Sequence, residues 1–368
     1  MKKNLLCILL AMLLCLSIVF VSCDEATPND PAENAGENET LEQDGKEETP
    51  KIDVSKGKAT VVKYLKENGQ SLIENTIDPE ELASEIEQIK LGGELTVNME
   101  DKKLEEVLAI KDGLLYLSAD GEEKYILLQD MEVKSFSKDE NGVWSLDSED
   151  PEDSSEEDTS EDTAILMMML TGVNFEKITK DDISYKNEKF IVNNEFLAEM
   201  LMRSMMESMI GDAELSEQDK AEMETAIAEG KAEFLEMFNT MQFELAFRAT
   251  ETEVTQIILS LHMDSDAMRE MGTIDEGVEG HVKVNLSVKL SNGGRKITEM
   301  SFMFDFYEED VMDSSMNLEI KVKSETLITL EGTAVNDSVE MKISGKLTMN
   351  DASNFPTQIP EIVQGYMK

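Results

Sequence analysis

No cysteine follows Cys23, and the only others, Cys7 and Cys15, lie nearer the N-terminus. A disulfide therefore cannot staple the bulk of the chain, whichever redox compartment holds it. Histidine is almost as scarce: a His-based nucleophilic triad would have to use His262 or His281, and both fall on the polar phase of alternating segments. No Gly-x-Ser-x-Gly elbow, His-Glu-x-x-His zinc pattern, phosphate-cradling Gly-rich loop or dinucleotide fingerprint occurs. A carboxylate-pair glycosidase needs no fixed spacing of its acids, but one Trp and 5% aromatic residues argue against a sugar-stacking cleft. The chain is read as no enzyme, with no cofactor and no metal. Positive charge is also short. Against 79 acidic residues stand 33 basic ones, a formal charge of −46 that repels nucleic-acid phosphates and anionic headgroups alike. Nucleic acid is excluded as a partner, and the acidity itself reads as a solvated, self-repelling surface.

What is present begins with Lys2 and Lys3, an apolar run from Leu5 to Val21, the small Ser22 and then Cys23. A charged n-region, an apolar h-region and a small residue at the cleavage point make an export signal. A plain transmembrane anchor is the competing reading of a run this long. Val21-Ser22-Cys23 resembles the lipobox of bacterial lipoproteins, which implies removal of residues 1–22, acyl chains (palmitate among them) on Cys23, and anchoring to the bacterial cell membrane or outer membrane. Loss of two lysines leaves the mature chain at 31 − 79 = −48. Residues 23–55 then form an acidic tether with Pro28 and Pro31, too poor in large apolar residues to offset its ordering entropy. Its reach is on the order of 30 Å or more.

A chain of 368 residues allows one large domain or two ordinary ones, its 40% hydrophobic residues supply a core, and 56–368 is read as one folded domain. Ala59, Val61, Val62 and Leu65 predict a helix stopping at Asn68 and Gly69; Asp78-Pro79 predicts the start of another carrying Leu82, Ile86 and Ile89, ended by Gly92 and Gly93. A meander is expected over Leu95–Met99, Glu106–Ile110, Leu114–Ser118, Lys124–Leu128, Glu132–Ser137 and Val143–Leu146, with turn signals at Asp112-Gly113 and Asp120-Gly121. From 147 to 162 the chain is almost wholly Ser, Thr, Asp and Glu. A calcium loop would suit clustered carboxylates, but the EF-hand pattern is absent, and a disordered acidic insertion is expected. Ala164 to Leu170 is apolar all round. Asn194 is expected to cap a helix with Leu197, Met200, Leu201, Met205 and Met209 on one stripe, and Ser216 a helix with Met223, Ile227, Phe234, Leu235, Phe238 and Met241. Strands resume at Phe243 and Ile257.

From Gly280 to Leu347 every second residue is apolar: Val282, Val284, Leu286, Val288 and Leu290; Phe302, Phe304 and Phe306; Leu318, Ile320 and Val322; Val339, Met341, Ile343 and Leu347. Short loops between alternating strands predict an antiparallel meander with one wet and one oily face. The two meanders flanking a helical block suggest a duplicated arrangement, and the segment around Pro356 and Pro360 is expected on the sheet edge.

The fold class is therefore α+β, a large antiparallel sheet with helices on its apolar face. This order behind a lipobox, with the hairpin signals Lys111-Asp112-Gly113-Leu114-Leu115-Tyr116 and Asn141-Gly142-Val143-Trp144, resembles the LolA-like and LppX-like lipoproteins over roughly Lys56 to Lys368. The resemblance implies a strongly curved half-barrel whose concave face, closed over helices, leaves an apolar cavity for acyl chains. Candidate ligand-binding residues are Phe302, Phe304, Phe306, Leu318, Ile320 and Val322 on the sheet and Leu201, Met205, Phe234 and Phe238 on the helices, where flexible methionines suit varied ligands. Two functions share this pattern: a tethered binder or carrier of lipid or another hydrophobic molecule, and an envelope scaffold or interaction protein whose helices fill the face completely.

Overall fold

Fifteen segments, most of them with alternating or continuously apolar sequence, become strands, and each pairs antiparallel with its neighbours in a single sheet. The structure is a computed structural model and describes residues 52–367 apart from 74–89, 100–101, 120–121, 130–131, 140, 148–173, 211–216, 271–278, 309–310 and 337–338. Cys23 and its tether, the helix expected around Leu82, the acidic insertion beyond residue 147, the run from Ala164 to Leu170 and the cap at Ser216 lie outside the described residues.

The chain opens with helix α1 (Val54–Ile73). Asp53 caps it: its Oδ1 accepts from the backbone N–H groups of Ser55 at 3.0 Å and Lys56 at 3.2 Å. Strands β1 (Leu91–Asn98), β2 (Lys103–Lys111), β3 (Leu114–Ala119), β4 (Glu122–Gln129), β5 (Glu132–Lys138) and β6 (Trp144–Leu146) follow. After a short 3-10 turn come β7 (Ile183–Lys186), β8 (Lys189–Val192), α2 (Asn194–Ile210), α3 (Glu217–Thr240), β9 (Glu244–Ala249), β10 (Val254–Met263) and α4 (Ser265–Glu270). The long meander is β11 (Gly280–Ser291), β12 (Lys296–Glu308), β13 (Val311–Val322), β14 (Leu327–Asn336) and β15 (Val339–Met349), and α5 (Glu361–Gln364) closes the chain.

Across the sheet the order is β6-β5-β4-β3-β2-β1-β15-β14-β13-β12-β11-β10-β9-β8-β7. Only β1 and β15 are neighbours without being consecutive; their pairing, from Leu91↔Met349 to Asn98↔Lys342, welds the first and last meanders together. The two meanders are thereby joined edge to edge within one sheet. The sheet is open, with short β6 and β7 at its ends, so little unpaired edge is offered to another chain.

Several element bounds differ from expectation. α1 starts earlier and runs through Asn68 and Gly69, because Val61, Tyr64 and Leu65 bury one face of it and packing overrides a weak stop signal. Gly92 and Gly93 lie within β1, where a Cβ on Gly93 would meet Leu347 Cδ2 at 2.4 Å. Asn194 does not cap α2; its side-chain amide donates to the Phe243 carbonyl at 3.1 Å, while the Asn193 carbonyl accepts from Phe196 and Leu197. Asp147 is not loose: it accepts from Ser135 Oγ at 2.6 Å and from Ser137 Oγ, and lies 3.6 Å from the Lys124 ammonium.

The core has two parts. The larger joins the apolar face of the sheet to Val61, Tyr64 and Leu65 of α1, Leu197 and Leu201 of α2, and Phe238 and Met241 at and just beyond the end of α3. α1 lies along β8, β9 and β10. The smaller part is on the opposite face of β2–β5, where Ala109, Tyr116, Tyr125 and Phe136 are successive cross-strand partners covered by Phe355 and Val363. The C-terminal segment thus packs on a sheet face, because here both faces are apolar.

Candidate functional site

The apolar face is best followed along rows of directly opposed residues. One row runs Leu259, Leu286, Phe302, Leu318, Gly332, Ile343, Val97, Leu104 from β10 to β2. The next runs Leu261, Val284, Phe304, Met316, Ala334, Met341. From β13 onward the apolar members are buried: Leu318 is 1% exposed, Ile343 4% and Val97 1%. On β11 and β12 they are not: Val284, Leu286, Val288, Phe302, Phe304 and Phe306 are only partly buried, as are Ile257 and Leu259 on β10.

A strip of incompletely covered apolar surface therefore lies on interior strands of the sheet, with buried Leu261 on one side and buried Met316 on the other. β-Alternation puts these residues on one face, and the register, unbroken from Val282↔Phe306 to Lys289↔Glu299, keeps them in line. Nine of the ten sequence-chosen ligand-binding residues belong to or pack against one continuous cluster: Leu318, Ile320, Leu201 and Phe238 buried within it, and Phe302, Phe304, Phe306, Val322 and Phe234 partly buried against it. Met205 is placed on α2. Sequence reasoning omitted the β10 and β11 members and Tyr64, although the alternation at Val284, Leu286 and Val288 already signalled that they share the face.

Two elements fix the cover. Lys56 Nζ donates to Glu251 Oε2 at 2.8 Å and Thr60 Oγ1 to the Glu251 carbonyl at 2.8 Å, pinning α1 to the β9–β10 turn. α2 and α3 are clasped by Arg203, which donates to Glu224 at 2.8 and 3.1 Å and to Glu199 at 3.4 Å, while Lys231 donates to Glu199 at 3.1 Å. Hydrogen bonds from Lys231 and then Arg203 hold the Glu199 carboxyl below its ordinary range.

The opposite face is chemically different. A shallow cavity of about 490 Å³ there is lined by Gln256, Ser287, Lys289, Glu299, Ser301, Asn317, Glu319, Glu331, Gly332 and Thr333. Lys289 pairs with Glu299 at 2.5 Å and Lys321 with Glu319 at 2.5 Å, so two of its carboxylates are already matched. Both histidines sit on this face, their rings 6.1 Å apart, with His281 stacked on Tyr307 at 4.3 Å. Burial, then the nearby Lys283 and His281, lower the His262 pKa. Among the described residues no group of three or more His, Cys, Asp or Glu is arranged to hold a metal ion, and no helix is long and apolar enough to cross a membrane.

No protein-family model matches this chain, and no curated protein matches its sequence. Among solved structures, it is similar to a loop-L8 deletion mutant of OmpT, an outer membrane protein of Vibrio cholerae, at 7% identity over 71% of this chain and 97% of that one, with a TM-score of 0.13. It is likewise similar to Neisserial surface protein A, at 5% identity over 71% and 94% of the two chains, with a TM-score of 0.11. Scores this low carry no argument about fold or function, so the geometry of the apolar face has to speak for itself.

Proposed function

We propose that this chain is a membrane-anchored extracytoplasmic lipoprotein that binds or carries a lipid or another hydrophobic molecule against the strip on β11 and β12. One observation carries the reading: within a single row of opposed residues, burial changes from partial at Leu259, Leu286 and Phe302 to nearly complete at Leu318, Ile343 and Val97. Large apolar side chains on interior strands of a fifteen-stranded sheet gain most when fully covered, and an acyl chain laid along the strip adds about 0.8 kcal/mol per buried methylene. The sheet in this reading is curved as a half-barrel with helices on its concave face, and acyl groups on Cys23 hold it at the membrane.

Native mass spectrometry of the membrane-extracted full chain tests this. Bound lipid is expected beyond the mass of the Cys23 anchor, and Phe304→Glu should lose it, because a carboxylate cannot be left against an acyl chain. A chain that carries no lipid and takes up no neutral fluorescent apolar probe would instead be the envelope scaffold with a filled core.

A further inference from the structure

α1 brings one hydroxyl into the apolar interior. Tyr64 is 5% exposed, and its ring is fixed on two sides: the Phe247 ring centroid is 6.2 Å away, and a Cβ on Gly294 would come within 2.7 Å of Tyr64 Cε2. Gly294 lies in the turn joining β11 to β12 and Phe247 belongs to the row Phe247, Ile257, Val288, so Tyr64 sits toward the turn end of β9–β11, with buried Leu290 and Ile297 between Gly294 and partly buried Val288. Among the described residues its hydroxyl oxygen is buried without a hydrogen-bond partner. Such a group is costly to leave unpaired, and packing does not call for it, since phenylalanine would fill the same space against Phe247 and Gly294. Burial pushes the phenol up to about 12, so at physiological pH it is a neutral donor. No charged residue is among the fully buried ones described, and the whole chain carries −46, which disfavours a free carboxylate at Tyr64.

We infer that the Tyr64 hydroxyl is the specificity-determining polar anchor of the apolar strip, selecting ligands that carry a neutral hydrogen-bond acceptor, the ester or amide carbonyl of an acylated lipid, over plain hydrocarbons and free fatty-acid anions. This rests on the strip being a binding site. The phenol donates to the carbonyl oxygen while the acyl chain runs along Phe302 and Phe304, so one contact both satisfies the hydroxyl and sets the ligand's direction.

Displacement of N-phenyl-1-naphthylamine from the full chain by methyl laurate, dodecane and laurate tests the inference, with Tyr64→Phe as the variant. For the wild type, methyl laurate should displace the probe about 3- to 10-fold more tightly than either competitor, as one neutral hydrogen bond warrants. Tyr64→Phe should bind probe and dodecane as before, lose the ester advantage, and melt no lower than wild type when ligand-free. An ester preference that survives in Tyr64→Phe, or is missing from the wild type while the probe still binds, overturns the anchor. Failure of the wild type to bind the probe at all overturns the binding reading itself, and the anchor with it.

Discussion

Phe247 and Phe304 offer a matched test of the incompletely covered strip, because they are the same residue type on the same face of one sheet. Phe247, on β9, is 1% exposed and touched by the Tyr64 ring; Phe304, on β12, is only partly buried between Val284 and Met316. Truncating a sealed phenylalanine removes its transfer free energy and also leaves a cavity the surroundings cannot fill, so Phe247→Ala should cost about 3–5 kcal/mol. Phe304→Ala loses less on both counts. Part of its surface is already in water, and the space it vacates is open to solvent rather than void, so about 1–3 kcal/mol is expected, a gap of at least about 1 kcal/mol. Urea titration followed by far-UV circular dichroism measures both, with the shift in midpoint at constant m giving each difference. The ligand-free protein is the appropriate sample, since a molecule on the strip would seal Phe304 and raise its cost. Equal losses, or a larger one for Phe304, would refute the open strip and with it the structural basis of lipid binding.

Three further outcomes follow from other parts of the molecule. Gly332→Val should destabilise by about 1–3 kcal/mol, since a Cβ there would meet the Asn317 carbonyl oxygen at 2.4 Å and Leu318 Cδ2 at 2.5 Å; thermal melting monitored by circular dichroism checks it, and an unchanged midpoint contradicts the β13–β14 packing. His262 has a folded-state pKa below its ordinary 6.5, so as pH falls through 6.5 the unfolded chain takes up the proton first and stability declines until the folded value is passed; His262→Gln should flatten that part of the melting-temperature profile between pH 7.5 and 5, and an unaltered slope counts against the burial of this ring. Cys23→Ser should move the chain from the membrane fraction to the soluble one, or leave its uncleaved signal attached, and an intact wild-type mass starting at an unmodified Met1 rules out the lipid anchor.

The sequence made the sheet legible wherever large apolar residues alternate, and obscured it where backbone geometry replaced them. β14 shows why. Along Leu327–Asn336 the inward positions after Ile328 and Leu330 are Gly332 and Ala334, so the oily phase fades just where Leu318 of the next strand fills the space above Gly332. A missing side chain reads as a missing strand, yet it is the neighbour's bulk that requires the gap. β7 and β8 escaped notice for a related reason: each has four residues, and their turn, Asn187 and Glu188, takes positive φ of 51° and 59° without a glycine to announce it. The candidate site was legible as a face but not as an opening, because alternation assigns residues to a side of the sheet and says nothing of what lies over them. Phe302 and Leu318 occupy equivalent phases in their strands and face each other in register, yet one is partly buried and the other sealed. What lies over each row is set by elements distant in sequence, so the decisive feature of the site is a tertiary one: the place along the rows where burial falls from complete to partial.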